Sequence, residues 1–197
     1  TYVCDNNGNF TGIINTFDPS KNKTYTYDSL DRLTGVTGPW GTLSYTYDGG
    51  GNRQTQTNGG TSTYAYQAGT NKLTGVSGAG ALTFNYDGNG NTIAENSRQF
   101  IYNQNQRLIR VTEGNIIKGE YVYNGTGQRV MKTTQAGTIL FHYNLSGQIM
   151  TESTPAGTVT AEYVFLNDSP LAKIYGGSVY YYHSDHLATT QKMTDPT

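Results

Sequence analysis

A tyrosine followed by an acidic or amide turn returns about every 20 residues along nearly the whole chain. The copies begin at Tyr27-Asp28, Tyr47-Asp48, Tyr66-Gln67, Tyr86-Asp87, Tyr102-Asn103, Tyr123-Asn124 and Tyr143-Asn144, so the leading tyrosines step by 20, 19, 20, 16, 21 and 20 residues. A fixed period of this size means stacked copies of one small unit, which rules out most single-core globular arrangements. The residues before each tyrosine then decide the unit's conformation. Tyr25 and Tyr27 alternate with Thr24 and Thr26; Leu43, Tyr45 and Tyr47 alternate with Ser44 and Thr46. The same spacing of two recurs at Tyr64 and Tyr66, at Phe84 and Tyr86, at Tyr121 and Tyr123, and at Tyr163 and Phe165. Period two is a strand with one aromatic face; a helix would repeat at three and four.

The residues after each tyrosine make a turn. Asp and Asn fold back onto the local backbone, and Gly accepts positive φ. Asn89-Gly90 and Asn124-Gly125 read as hairpin dipeptides. A second strand follows, as in Arg32-Leu33-Thr34-Gly35-Val36 and Lys72-Leu73-Thr74-Gly75-Val76. Here the apolar residues stand three apart (Leu33 and Val36, Leu73 and Val76, Leu108 and Val111), which breaks strict alternation. Either a β-bulge or partial burial of both faces accounts for it. The expected fold is all-β: a repeat array of about ten strand-turn-strand units in a long antiparallel ribbon. In it the tyrosines form the core of a thin sheet, with hydroxyl partners expected among neighbouring Asn, Asp and Thr side chains.

Composition agrees with this reading. Seventeen tyrosines and 25 glycines accompany only 14% charged residues and a net charge of -1. There is no basic field to draw nucleic acid. No run of about 18 apolar residues exists, so no membrane span is expected. Cys4 is the sole cysteine, so no intrachain disulfide forms. The chain starts directly in a repeat-like segment, and both ends read as cut from something longer.

The repeats resemble the YD-repeat, or Rhs-repeat, family, whose unit begins Tyr-Asp and continues through a Gly-containing turn into an apolar strand. The C-terminal part carries two further matches. Tyr163-Val164-Phe165-Leu166-Asn167-Asp168-Ser169-Pro170-Leu171-Ala172 is similar to one family segment. Tyr180-Tyr181-Tyr182-His183-Ser184-Asp185-His186-Leu187-Ala188-Thr189 is similar to its hallmark, with Ala188 where Gly is usual. The resemblance implies tandem repeats over residues 1–162 and a hallmark segment over 163–197 continuing the same sheet. It implies a ribbon that spirals into a hollow shell, as in Rhs-type toxin shells, the C-type shells of insecticidal toxin complexes and teneurin-like shells. Its structural residues would be Tyr27, Asp28, Tyr47, Asp48, Tyr66, Tyr86, Asp87, Tyr102, Tyr123, Tyr143 and Tyr163, and its hallmark residues Tyr182, His183, Asp185, His186 and Leu187.

Chemistry-bearing patterns are weak by comparison. His183-x-x-His186 with Asp185 has spacing that suits a metal poorly on a strand, so no metal and no cofactor is expected. Asp195-Pro196 lacks the residues that would make it the family's self-cleavage segment. No Gly-x-Ser-x-Gly elbow occurs, and Asp28, Asp48 and Asp87 read as turn formers rather than paired catalytic carboxylates. The Asn-x-Ser/Thr sequons at Asn9, Asn22, Asn124 and Asn144 are expected by chance in such a composition. The expectation is a non-enzymatic wall segment of a secreted or cell-surface protein, enclosing a cargo or toxin domain. The alternatives are a self-assembling fibre joined through open sheet edges and a glycan- or receptor-binding adhesion module.

Overall fold

A computed structural model describes residues 1–78, 80–185 and 189–195. The chain forms two compact units, Thr1–Asn96 and Ser97–Thr197. Unit 1 holds β1 (Tyr2–Cys4), β2 (Phe10–Ile13), β3 (Lys23–Tyr27), β4 (Leu33–Gly38), β5 (Gly41–Tyr47), β6 (Arg53–Thr57), β7 (Thr61–Tyr66), β8 (Leu73–Ser77), β9 (Leu82–Tyr86) and β10 (Thr92–Glu95). Unit 2 holds β11 (Arg98–Tyr102), β12 (Leu108–Glu113), β13 (Ile116–Tyr123), β14 (Arg129–Thr134), β15 (Gly137–Tyr143), β16 (Ile149–Ser153), β17 (Val159–Leu166), β18 (Ser169–Tyr175), β19 (Ser178–Ser184) and β20 (Thr190–Thr194). The one helical element among the described residues is a 3-10 turn at Pro19–Lys21, and no helix there is long and apolar enough to cross a membrane.

Within each unit every strand pairs antiparallel with the next, so each unit is a meander. The chain is thus all-β and repetitive. The short step from Tyr86 to Tyr102 falls at the boundary between the units. Asn96, at φ 50, closes unit 1: its N–H donates to the Thr83 carbonyl (3.0 Å), and its Oδ1 accepts from the Thr83 N–H (2.8 Å).

The three-apart spacing has a definite cause. At every hairpin whose first strand ends in a leading tyrosine, the register slips by one residue on the second strand. Tyr27 faces Leu33 while Thr26 faces Gly35, leaving Thr34 over; Tyr66 faces Leu73 while Ala65 faces Gly75, leaving Thr74 over. The same slip follows Tyr47, Tyr86, Tyr102, Tyr123 and Tyr143. A β-bulge, not two-sided burial, lets Leu33 and Val36 share a face.

The core is thinner than the aromatic pattern implies. Val36, Phe141, Ala161 and Ala172 are the buried hydrophobic residues among those described, and no large side chain is fully buried. All the leading tyrosines are half-buried. Substantial contacts within a unit run only between strands adjacent in the ladder. The threonine face carries its own cross-strand pairs, including Thr46 with Thr55 (2.6 Å) and Thr133 with Thr138 (3.0 Å). With so little apolar burial, polar locks must carry much of the specificity.

Candidate functional site

The repeating site is the turn after each leading tyrosine. The N–H of its fourth residue donates to the carbonyl of its first, as Asp31 to Asp28 (3.1 Å), Gly90 to Asp87 (3.1 Å) and Gly127 to Asn124 (3.0 Å). The first residue's N–H donates to the carbonyl of the fifth, as Asp48 to Asn52 (2.9 Å). The turn after Tyr66 is one residue longer, with Gly69 left-handed and the Gln67 N–H donating to the Lys72 carbonyl. In the others the fourth residue is left-handed: Gly51, Gly90, Gly127 and Gly147 take positive φ there, and so do Asp31 (58°) and Gln106 (61°). This is a three-residue hairpin loop with a left-handed last residue. It corrects the reading of Asn124-Gly125 as the turn dipeptide, because the left-handed residue is Gly127 and not Gly125.

The first residue's side chain braces the loop. Asp28 Oδ1 accepts from the N–H groups of Leu30 (2.9 Å) and Arg32 (3.0 Å). Asp48 does the same with Gly50 and Asn52, and Asp87 with Asn89 and Asn91. The second carboxylate oxygen then takes a side-chain donor from the fifth residue: Arg32 Nε (2.7 Å), Asn52 Nδ2 (3.0 Å) or Asn91 Nδ2 (2.8 Å). At two of the three turns that begin with Asn, the fifth residue is instead an acceptor. Asn124 and Asn144 donate their amides to Gln128 Oε1 (2.8 Å) and Gln148 Oε1 (2.7 Å). This donor–acceptor complementarity four residues apart is written in the sequence itself, at Asp28 and Arg32 or Asn124 and Gln128. Its electrostatic consequence is a carboxylate held below its usual range. The Arg32 N–H holds down Asp28; the Asn52 and Asn91 side chains hold down Asp48 and Asp87.

The hydroxyls of six leading tyrosines find their partners elsewhere than the expected Asn, Asp and Thr side chains. They reach backward to backbone carbonyls of the preceding repeat. Tyr27 donates to Phe10 (2.8 Å), Tyr47 to Leu33 (2.6 Å), Tyr66 to Arg53 (2.9 Å) and Tyr86 to Leu73 (2.7 Å). In unit 2, Tyr123 donates to Leu108 (2.9 Å) and Tyr143 to Arg129 (2.8 Å). Leu33, Arg53, Leu73, Leu108 and Arg129 are the residues opposite the previous leading tyrosine, where the bulge interrupts the ladder. A side-chain hydroxyl supplies a donor where strand pairing is disturbed. Tyr163 departs from this pattern. Its hydroxyl donates to Glu152 Oε1 (2.6 Å), and burial, together with that carboxylate, pushes it well above the usual phenol range.

Cations complete the link between repeats. The Arg32 guanidinium lies 4.9 Å from the Tyr47 ring and donates to the Asp48 carbonyl (3.0 Å), so it clamps its own turn to the next. Arg53 lies over Tyr64 (4.2 Å), and Arg129 lies over Tyr121 (5.4 Å) and Phe141 (5.1 Å).

Of the C-terminal residues, Tyr182 is half-buried and desolvation raises its hydroxyl. Asp185 accepts from the Thr189 N–H (3.0 Å), four residues on, and from Gln191 Nε2 (3.0 Å). His183 is exposed and bonds through Nε2 to Thr194 Oγ1 (2.8 Å). His186 and Leu187 lie outside the described residues. Among the described residues no group of His, Cys, Asp and Glu is arranged to hold a metal.

The tyrosine-led, bulged and braced repeat also matches a known family model. The model described as the teneurin YD-shell aligns with residues 2–145. The chain belongs to the teneurin YD-shell family. A solved structure supports the fold. A structure of the Photorhabdus luminescens Tc holotoxin pore, carrying the mutation TccC3-D651A, matches with a TM-score of 0.72 at 18% identity over 98% of this chain. This chain spans 12% of that one's length. TcdB2-TccC3 without its hypervariable C-terminal region matches with a TM-score of 0.49 at 15% identity, over 98% of this chain and 12% of that one. The TcdB2-TccC3-Cdc42 structure matches with 0.44 at 11%, over 98% and 17%. No curated protein sequence matches. The turns and tyrosine locks are therefore those of a YD-shell structural segment.

Proposed function

We propose that this YD-shell segment is non-catalytic wall in a secreted or cell-surface protein, and that the shell it helps build encloses a cargo or toxin domain. One observation carries the reading: six leading tyrosines, Tyr27, Tyr47, Tyr66, Tyr86, Tyr123 and Tyr143, hydrogen-bond their repeat to its predecessor through a hydroxyl and a carbonyl at the bulge. Such a linkage extends a sheet indefinitely in one dimension, as a wall requires. The fold shared with a Tc holotoxin chain supports a toxin as the enclosed class. In this reading Tyr27, Tyr47, Tyr66, Tyr86, Tyr102, Tyr123, Tyr143 and Tyr163, with Asp28, Asp48 and Asp87, are the wall's repeated fastenings. Residues 1–162 are its repeats. Residues 163–197, with Tyr182, His183, Asp185, His186 and Leu187, are the hallmark segment that continues the same sheet.

Electron microscopy of the protein isolated from its producing cells tests this. A hollow particle whose wall contains these strands, with protease-protected density inside, upholds the proposal. A filament of stacked copies, or a particle with an empty and open interior, overturns it.

A further inference from the structure

One arginine of unit 2 stands apart from its counterparts. Arg107 occupies the fifth position of its turn, as Arg32 does in unit 1. Arg32 has Asp28 as its acid, but the matching residue before Arg107 is Asn103. The Asn103 Oδ1 accepts from the N–H groups of Asn105 (3.0 Å) and Arg107 (3.0 Å), which braces the loop and leaves the guanidinium without a counter-charge. Among the described residues Arg107 has no ion pair, no side-chain hydrogen bond and no ring beneath it, unlike Arg32, Arg53 and Arg129. Its Nη2 lies 2.5 Å from where a Cβ on Gly127 would stand, so the bare, left-handed glycine gives it its seat. The guanidinium opens on a recess of about 270 Å³ lined also by Asn103, Asn105, Tyr123 and Thr126, with no acidic residue in the lining. Among the described residues the Asn103 and Asn105 side-chain amides donate to no partner. Three side chains that carry donors thus line a cup whose lining has no carboxylate to neutralise them.

We infer that this cup is a binding site for a small oxyanion, the carboxylate or sulfate group of a ligand no larger than a monosaccharide. A planar guanidinium takes such a group through two parallel hydrogen bonds, and the two amides supply further donors around it. The inference does not depend on the wall reading, because it rests on one turn and not on the array. It does depend on position 103 being neutral. Asn103→Asp recreates the Asp28–Arg32 pair and fills the guanidinium from within.

The test is nuclear magnetic resonance of the full chain, following the arginine Nε–Hε signals while sodium sulfate or sodium glucuronate is added against sodium chloride of equal ionic strength. The expected result is a saturating shift at Arg107 at least about threefold larger than at Arg32, whose guanidinium is already occupied. Asn103→Asp and Arg107→Gln should each weaken the response about tenfold or more, and Asn103→Asp should keep the wild-type fold because unit 1 uses the same pair. Saturation by sulfate and glucuronate alike assigns the recognition to the oxyanion; saturation by glucuronate alone assigns it to the acid together with its sugar. Shifts no larger at Arg107 than at Arg32, or an undiminished response in Asn103→Asp, would overturn the site.

Discussion

Removing one hydroxyl from the wall tests how its repeats are held together. Tyr123→Phe deletes the donor to the Leu108 carbonyl at 2.9 Å and changes nothing else about the ring. A hydrogen bond of this kind is worth about 0.5–1.5 kcal/mol net, and a half-buried carbonyl left behind recovers part of that from water. The expected loss is therefore about 1 kcal/mol. Tyr123→Ala removes the half-buried ring as well. Complete truncation of a buried aromatic costs about 3–5 kcal/mol, so half-burial places this variant at about 2–3 kcal/mol in total. The difference between the two variants separates the lock from the packing. Tyr181→Phe is the control, since that side chain is 45% exposed and its hydroxyl has no partner among the described residues. Its change should stay within about 0.5 kcal/mol. Urea midpoints at constant m give all three values, and for a chain of this size 1 kcal/mol moves the melting temperature by about 2–4 °C. Equal midpoints for Tyr123→Phe and Tyr181→Phe would refute the claim that hydroxyl-to-bulge bonds fasten one repeat to the next. Tyr47→Phe, in unit 1, provides an independent repetition, and its effect should add to that of Tyr123→Phe within about 0.5 kcal/mol.

Other consequences follow from the turns. Gln106 holds a left-handed φ of 61° where sister turns place glycine, so Gln106→Gly should stabilise unit 2 by roughly 0.5–1 kcal/mol, read from its urea midpoint. A destabilised variant would show that the Gln106 side chain matters more than its backbone. Asp28, Asp48 and Asp87 have folded values below the unfolded one, so their stabilisation is complete above about pH 4 and is lost as pH falls through the depressed values. Unit 2 carries Asn103, Asn124 and Asn144 at those positions, with Glu113, lowered by its hydrogen bond to Lys118, as its own acid-sensitive group. Hydrogen exchange below pH 3 should therefore open the unit 1 turns first, and simultaneous opening of both sets would contradict this. Tyr163 is raised, so its contribution is complete below about pH 10 and disappears as pH climbs toward its folded value. Tyr163→Phe should flatten the fall in stability above pH 10, and a profile parallel to the wild type would count against the Tyr163–Glu152 bond.

The turn chemistry shows how far a local reading extends. Asp28, Asp48 and Asp87 were legible as turn formers because an Asx side chain bonds within its own few residues. The Asp-to-Arg and Asn-to-Gln complementarity over four residues was equally local, and the signal was available at Asp28 and Arg32 or at Asn124 and Gln128. Arg107 was legible as a departure only once that rule was known. The core was overestimated because alternation reports which residues share a face and not what covers it. Tyr27 and Tyr123 each lie on the aromatic face of their own unit, yet each remains half-exposed.

The sequence by itself determined the period, the strands, the turns and, through their recurrence, the resemblance to a shell of YD repeats. Each of these depends on neighbours a few positions away along one chain. Only the tertiary structure decided the rest. The spacing of Leu33 and Val36 allowed a bulge or two-sided burial, and pairing with Tyr27 and Tyr25 settled it as a bulge. The hydroxyl of Tyr47 had many polar side chains within a few residues, yet it bonds to the Leu33 carbonyl of the previous repeat. The physical reason is that register belongs to two strands at once. A chain specifies its own alternation, but where a bulge leaves a carbonyl, and which ring comes to lie over it, is fixed only when the strands pair.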